Sequence, residues 1–169
     1  MRSNARRIAL SGLLTALMLV LGWIERLIPI AGAPPGVKLG LANSVLIYAV
    51  YMMGAKESFV LMLLKVLLTG FLFGNPQAMI YSFSGSLLSL CAMLLTHRIK
   101  GVSAVGVSVV GACFFNVGQV LAAAIMVALP ELLISYLPIL LISAVVTGVL
   151  TGTVATMVMK HLRSMPLTR

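Results

Sequence analysis

The sequence contains no aspartate, and its only acids are Glu25, Glu57 and Glu131. General acid–base chemistry by paired carboxylates therefore has little to work with. Glu57 follows Lys56 in a charged turn and reads as a helix cap or as that lysine's partner. Histidine is confined to His97 and His161, both among basic residues. The only cysteines, Cys91 and Cys113, lie inside apolar runs without CxxC spacing. No His/Cys metal cluster or Ser-His-Asp set can be assembled from this inventory, and the cysteines read as small packing residues. A GxxxxGK[ST] loop is also missing, so the chain has no Walker site for ATP. The expectation is a protein without catalytic residues, metal or cofactor. If it moves a solute uphill, another subunit or an ion gradient supplies the energy.

What the chain has in excess is apolar surface. Of its 169 residues 61% are hydrophobic and 9% charged, with a mean hydropathy of +1.15. A soluble domain of this size could not bury so much, and lipid is its natural solvent. One membrane domain over 1–169 is expected, with no segment polar or long enough for a second. The net charge of +9 could point to nucleic acid, but the cations sit in small groups between apolar runs, which is the pattern of membrane topology. Arg2, Arg6 and Arg7 precede an apolar run that reaches Ile30. That run outlasts a signal-peptide core and reads as a retained first helix.

Six transmembrane helices are expected, at about 8–30, 39–53, 58–73, 78–96, 102–129 and 139–159. Turns fall at Gly54–Glu57, Gly74–Gln77 and His97–Gly101, where composition changes abruptly. Pro130 to Pro138 makes a proline-bounded connection with room for a short interfacial helix. Six crossings put Arg2, Arg6, Arg7, Lys56, Arg98, Lys100, Lys160, Arg163 and Arg169, nine of the twelve cations, on one side. The positive-inside rule makes that side the cytoplasm, with both termini there, in a cell membrane.

The first helix carries Ala5, Ala9, Gly12 and Ala16 at spacings of four, three and four, which places them on one face. Small residues let another helix approach closely, either within the chain or from a partner subunit. The polar residues away from the cytoplasmic ends form the candidate site. Lys38 and Asn43 follow Pro34-Pro35 at the outer end of the second helix, Asn75 lies in an outer turn, and Tyr81 lies one turn below. Lys65, Asn116 and Gln119 fall near mid-membrane, the last two one helical turn apart on one face. Each has a plainer reading: Asn116 and Gln119 as ties between helices, Tyr81 as an interfacial anchor, Lys38 as a snorkelling cation. Lys65 is harder to explain away, because a lysine at mid-membrane needs an anion, a water-filled cavity or a lowered pKa. The rival reading is that it pairs with Glu25 or snorkels and serves only the fold.

The small-residue first helix, the proline-rich loop and the run Lys38-Leu39-Gly40-Leu41-Ala42-Asn43 resemble the S components of energy-coupling-factor (ECF) transporters. The stretch from Glu25 to Asn43 looks more narrowly like the Gx transporter family, also labelled heptaprenyl diphosphate synthase component I. This resemblance implies a six-helix subunit that captures a vitamin or related small molecule from outside. Lys38 and Lys65, the cations away from the cytoplasmic ends without an adjacent acid, point separately to an anionic or strongly electron-rich group on that solute. The resemblance also implies docking through Ala5, Ala9, Gly12 and Ala16 to a transmembrane coupling subunit carrying two ATPases, with the loop Ala31–Val37 helping to close the site. Ala5 and Ala9 straddle the interface here, so Gly12 and Ala16 stand in for the deep Ala-x-x-x-Ala pair. Polyprenyl diphosphate synthases hold Mg²⁺ and diphosphate on aspartates, the oxygen ligands that cation needs. A chain with no aspartate could be a membrane partner of such an enzyme but not the catalyst itself.

Overall fold

The computed structural model describes residues 2–27, 40–73 and 76–164, and these are helical throughout apart from short connections. Seven helices follow in order: α1 (Arg2–Leu27), α2 (Leu41–Met52), α3 (Ala55–Phe73), α4 (Pro76–His97), α5 (Ala104–Val127), α6 (Glu131–Ser135) and α7 (Leu137–Ser164). Of these, α1, α4, α5 and α7 are long and apolar enough to cross a bilayer. The 12-residue α2 is too short to do so alone, since about 20 residues are needed. Within its 19 residues α3 carries Lys56, Glu57 and Lys65. The protein is a multi-pass membrane protein.

Local chemistry explains where the helices begin and end. Gly40 precedes α2 in the left-handed region (φ 73°), and Gly54 separates α2 from α3 at φ 102°, conformations that suit a residue without Cβ. The expected turn at Gly54–Glu57 is thereby shortened, and Lys56 and Glu57 enter the first turn of α3. Pro76 likewise opens α4, where its missing N–H costs nothing, and Gln77 is helical and exposed instead of lying in a turn. Ser103 caps α5, its Oγ accepting from Gly106 N at 3.1 Å. The proline-bounded connection contains the short α6, as its composition suggested.

The main cluster of buried apolar side chains lies toward the end of the bundle where α1 starts and α2 stops. Leu14 and Met18 of α1 meet Leu46 and Ala49 of α2, Leu61 and Met62 of α3, Met93 of α4, Val107 of α5 and Met159 of α7 in one core. At the same end the Tyr51 and His97 rings meet edge-on, with centroids 4.2 Å apart. Elsewhere α5 is gripped from both sides through glycines. A Cβ at Gly85 or Gly118 would lie 2.7 Å from α5 or α4 backbone oxygens, and one at Gly148 would lie 2.7 Å from Val109 Cα. Large side chains such as Leu13, Phe71, Ile125 and Ile142 point outward, as they must where the surroundings are hydrocarbon. Cys91 is exposed and Cys113 half-buried, and neither is in a disulfide.

Candidate functional site

The short α2 sets the depth of the site. Because it runs toward the packed end and is only 12 residues long, its first turn opens inside the bundle. A Cβ at Gly40 would lie 3.9 Å from Thr151 Cγ2, and Thr151 is midway along α7. Asn43, expected at the outer membrane end of its helix, therefore sits in the first turn of α2 at the bundle's middle. There it meets Lys65, which extends from the middle of α3 and donates from Nζ to Asn43 Oδ1 at 2.8 Å. Asn43 and Lys65 occupy one level, not the two depths the sequence suggested.

A second contact fixes the same turn. The Glu25 carboxylate on α1 accepts a hydrogen bond from Gly40 N, giving α2 an acidic partner at its uncapped N-terminus. The sequence places Glu25 beside Arg26 as a local pair, and nothing in its spacing pointed to a residue fifteen positions away. Behind Gly40, Thr151 Oγ1 bonds Thr147 O at 2.9 Å and Ser108 Oγ at 3.0 Å. The hydroxyl of Thr151 has one proton to give, so the carbonyl takes it and Ser108 is the donor in the second bond. Ser108 and Thr151 are functional candidates that sequence reasoning missed, since hydroxyls in apolar helices carry no distinctive pattern.

A second tier of polar groups lies farther along α5. Gln119 is 11 residues beyond Ser108, about three turns or 16 Å along the axis, and on nearly the same face. Its Oε1 is buried and accepts no hydrogen bond among the described residues. Asn116, one turn back, is used differently: its Nδ2 donates to Leu140 O at 2.9 Å and ties α5 to α7. Tyr81 is half-buried on α4, one turn from Gly85, which packs against α5 at Phe115. It lies toward the same end of the bundle as Gln119. Lys38 and Asn75, with the loop Ala31–Val37, fall outside the described residues.

The structure thus brings together Asn43 and Lys65 from the expected set, places Glu25, Gly40, Ser108 and Thr151 beside them, and bonds Asn116 to the α7 backbone. Two acceptor groups, Glu25 and Gln119, and the Lys65 ammonium give the arrangement hydrogen-bonding capacity at two levels. Among the described residues no three His, Cys, Asp or Glu side chains gather as metal ligands.

Comparison with known proteins follows the same lines. No curated protein matches the sequence. Among solved structures, the S component of a bacterial ECF transporter, described for its structure and mechanism, matches with a TM-score of 0.59. The match covers 95% of this chain and 94% of that one at 18% identity, so it is a likeness of fold. The family model for heptaprenyl diphosphate synthase component I matches residues 14–158, from the first buried leucine of α1 to the last turns of α7. With that match running through five of the seven helices in full and through more than half of α1 and of α7, the chain belongs to the heptaprenyl diphosphate synthase component I family.

Proposed function

We propose that this protein is the substrate-binding membrane subunit of an ECF-type importer, capturing a small vitamin-like or anionic solute from outside the cell. One observation carries the reading. A lysine, Lys65, is held by Asn43 at the middle of a lipid-facing bundle, where an ammonium serving only the fold is costly. The likeness of the whole chain to an S component supports the same conclusion. In this reading the solute lies between the Asn43–Lys65 level and the Gln119–Tyr81 level, with Lys38 and Asn75 contributing from the outer side. In the same reading the chain crosses six times, α2 forming only the inner part of the second crossing, so that both termini and nine of the twelve cations lie in the cytoplasm. The exposed Ala9, Gly12 and Ala16, together with Ala5, form the face that docks a transmembrane coupling subunit and its two ATPases. The chain itself performs no catalysis.

The test is co-purification from the native membrane. The intact protein is expected to bring down a coupling subunit with two ATPases and to retain a small molecule detectable by mass spectrometry. Lys65→Met should reduce that retained ligand by a factor corresponding to about 2–4 kcal/mol, as losing one member of a desolvated polar pair does. Lys56→Met, exposed at the start of α3, should leave it unchanged. Equal retention by wild type and Lys65→Met would overturn the assignment of Lys65. The family description favours one second reading, a non-catalytic membrane partner of a polyprenyl diphosphate or quinone-linked enzyme. Stable recovery of a prenyl synthase in place of ATPases would decide for it.

A further inference from the structure

Ser82, Ser86 and Ser89 of α4 recur at spacings of four and three, on one stripe that continues to Met93. Met93 belongs to the shared core, so the stripe faces the bundle interior, and Ser86 and Ser89 are buried. A Cβ at Gly111 of α5 would lie 3.3 Å from Ser89 Oγ, and one at Gly118 would lie 3.0 Å from Gly85 Cα. These contacts set Gln119 about level with Ser84, with Ser82 and Ser86 about 3 Å to either side along the axis. Ser89 lies beside Gly111, one turn from Ser108, so the stripe spans the depth between the two polar tiers. Around α5, Gln119 falls between the glycines that pack on α4 and Val109 and Ala112, which pack on α7. Two atoms of these facing surfaces, Ser89 Oγ and Gln119 Oε1, are buried and make no hydrogen bond. A helical hydroxyl can bond the carbonyl four residues back, as Ser58, Thr96 and Thr156 do here. Ser89 forgoes that bond and is aimed at α5. Buried polar atoms are rarely left so, and an unmet pair on two adjoining helices calls for a partner from outside the fold.

We propose that Ser82, Ser86, Ser89 and Gln119 form one wall of the solute site, and that the solute presents to it a hydrogen-bond donor beside an acceptor, as an amide or lactam edge does. The inference rests on the transport reading and adds the chemistry of a second part of the solute to the part that meets Lys65. Neither α5 nor α4 before His97 carries a charged residue, so this wall recognises through hydrogen bonds. A carboxamide holds an acceptor and a donor on one head, and turning the head exchanges them. A donor–acceptor edge pairs both atoms in either orientation, and the hydroxyls give or take the bonds that remain. A carboxylate or phosphate offers acceptors alone and would leave the Gln119 oxygen unpaired.

The experiment uses the full chain in detergent, dialysed exhaustively, with uracil and pyrrolidone as lactam probes at about 10 mM. The N,N′-dimethyl derivative of uracil and N-methylpyrrolidone, the same rings without an N–H, are the controls. At least one lactam is expected to raise the wild-type unfolding midpoint by about 2 °C or more, and its methylated counterpart by less than about 0.5 °C. Gln119→Met should lose that rise while unfolding, without probe, at the wild-type temperature or above, because it removes an unpaired polar group and breaks no bond. Ser89→Ala should keep the wild-type midpoint and reduce the rise. No rise with either lactam would overturn the proposal, and so would an equal rise with the methylated rings or an undiminished one in Gln119→Met. Failure of Gln119→Met and Ser89→Ala to fold, or midpoints more than about 3 °C below wild type, would show that these groups serve the fold and would also overturn it. Recovery of the coupling subunit is a separate measurement, and only its absence counts against the transport reading.

Discussion

Two helices of this protein carry stripes of small residues, and the stripes face opposite fates. On α7, Ala144, Gly148, Gly152 and Ala155 are all buried, and Cβ atoms at the two glycines would sit 2.7–2.8 Å from atoms of α5. On α1, Ala9, Gly12 and Ala16 are exposed, and among the described residues no atom beyond the helix's own backbone lies within 4 Å of where a Gly12 Cβ would be. The buried side of α1 is instead Leu14 and Met18, flanked by Leu10 and Leu21. Gly12 and Ala16 lie two residues from those positions, about 200° round the helix. One stripe is consumed by the fold and the other is left over. A small-residue spacing states only that something can come close, and the neighbours decide what does.

The comparison can be broken most forcefully at Gly148. Gly148→Leu would drive a side chain into Val109 backbone and should cost about 3 kcal/mol or more, the upper part of the range for overpacked cores. Thermal unfolding in detergent reads the loss, and a midpoint equal to wild type would refute the close α5–α7 seam. Asn116→Ala comes next. It leaves Leu140 O without its side-chain donor and should lower stability by about 0.6–1.7 kcal/mol, with retained ligand falling no further than the loss of folded protein explains. A ligand loss far beyond the stability change would move Asn116 from helix tie into the site. The smallest effect is expected at Gly12. Gly12→Ala has open space and a better helix former, so stability should stay level or rise by up to about 1 kcal/mol. Gly12→Leu should equally spare the isolated chain while weakening its recovery of the coupling subunit. Undiminished recovery would remove α1 as the docking face.

The same contrast runs through the polar residues. Asn43 and Asn116 are both carboxamides in apolar helices; the sequence offered both as site residues, with a helix tie as the plainer reading of Asn116. In the structure Asn43 receives Lys65, whereas Asn116 is spent on the α7 backbone. Lys65 itself was legible, because a charge in the middle of an apolar run has few inexpensive explanations. Glu25 was not. Its partner is a backbone amide beyond a loop, and an amide donor carries no residue identity that a sequence motif could record.

Composition by itself determined that this chain lives in lipid and is helical. With 61% hydrophobic residues, backbone polar groups in hydrocarbon must be satisfied within each segment, and helices satisfy them. Charge interruptions determined most boundaries to within a few residues. Tertiary structure decided the rest. The left-handed Gly40 starts α2 beside the midpoint of α7, and that placement sets the depth of Asn43, the reach of Lys65 and the partner of Glu25. Depth within a bundle is fixed by which helices pack against which, and hydropathy along one chain contains no term for that.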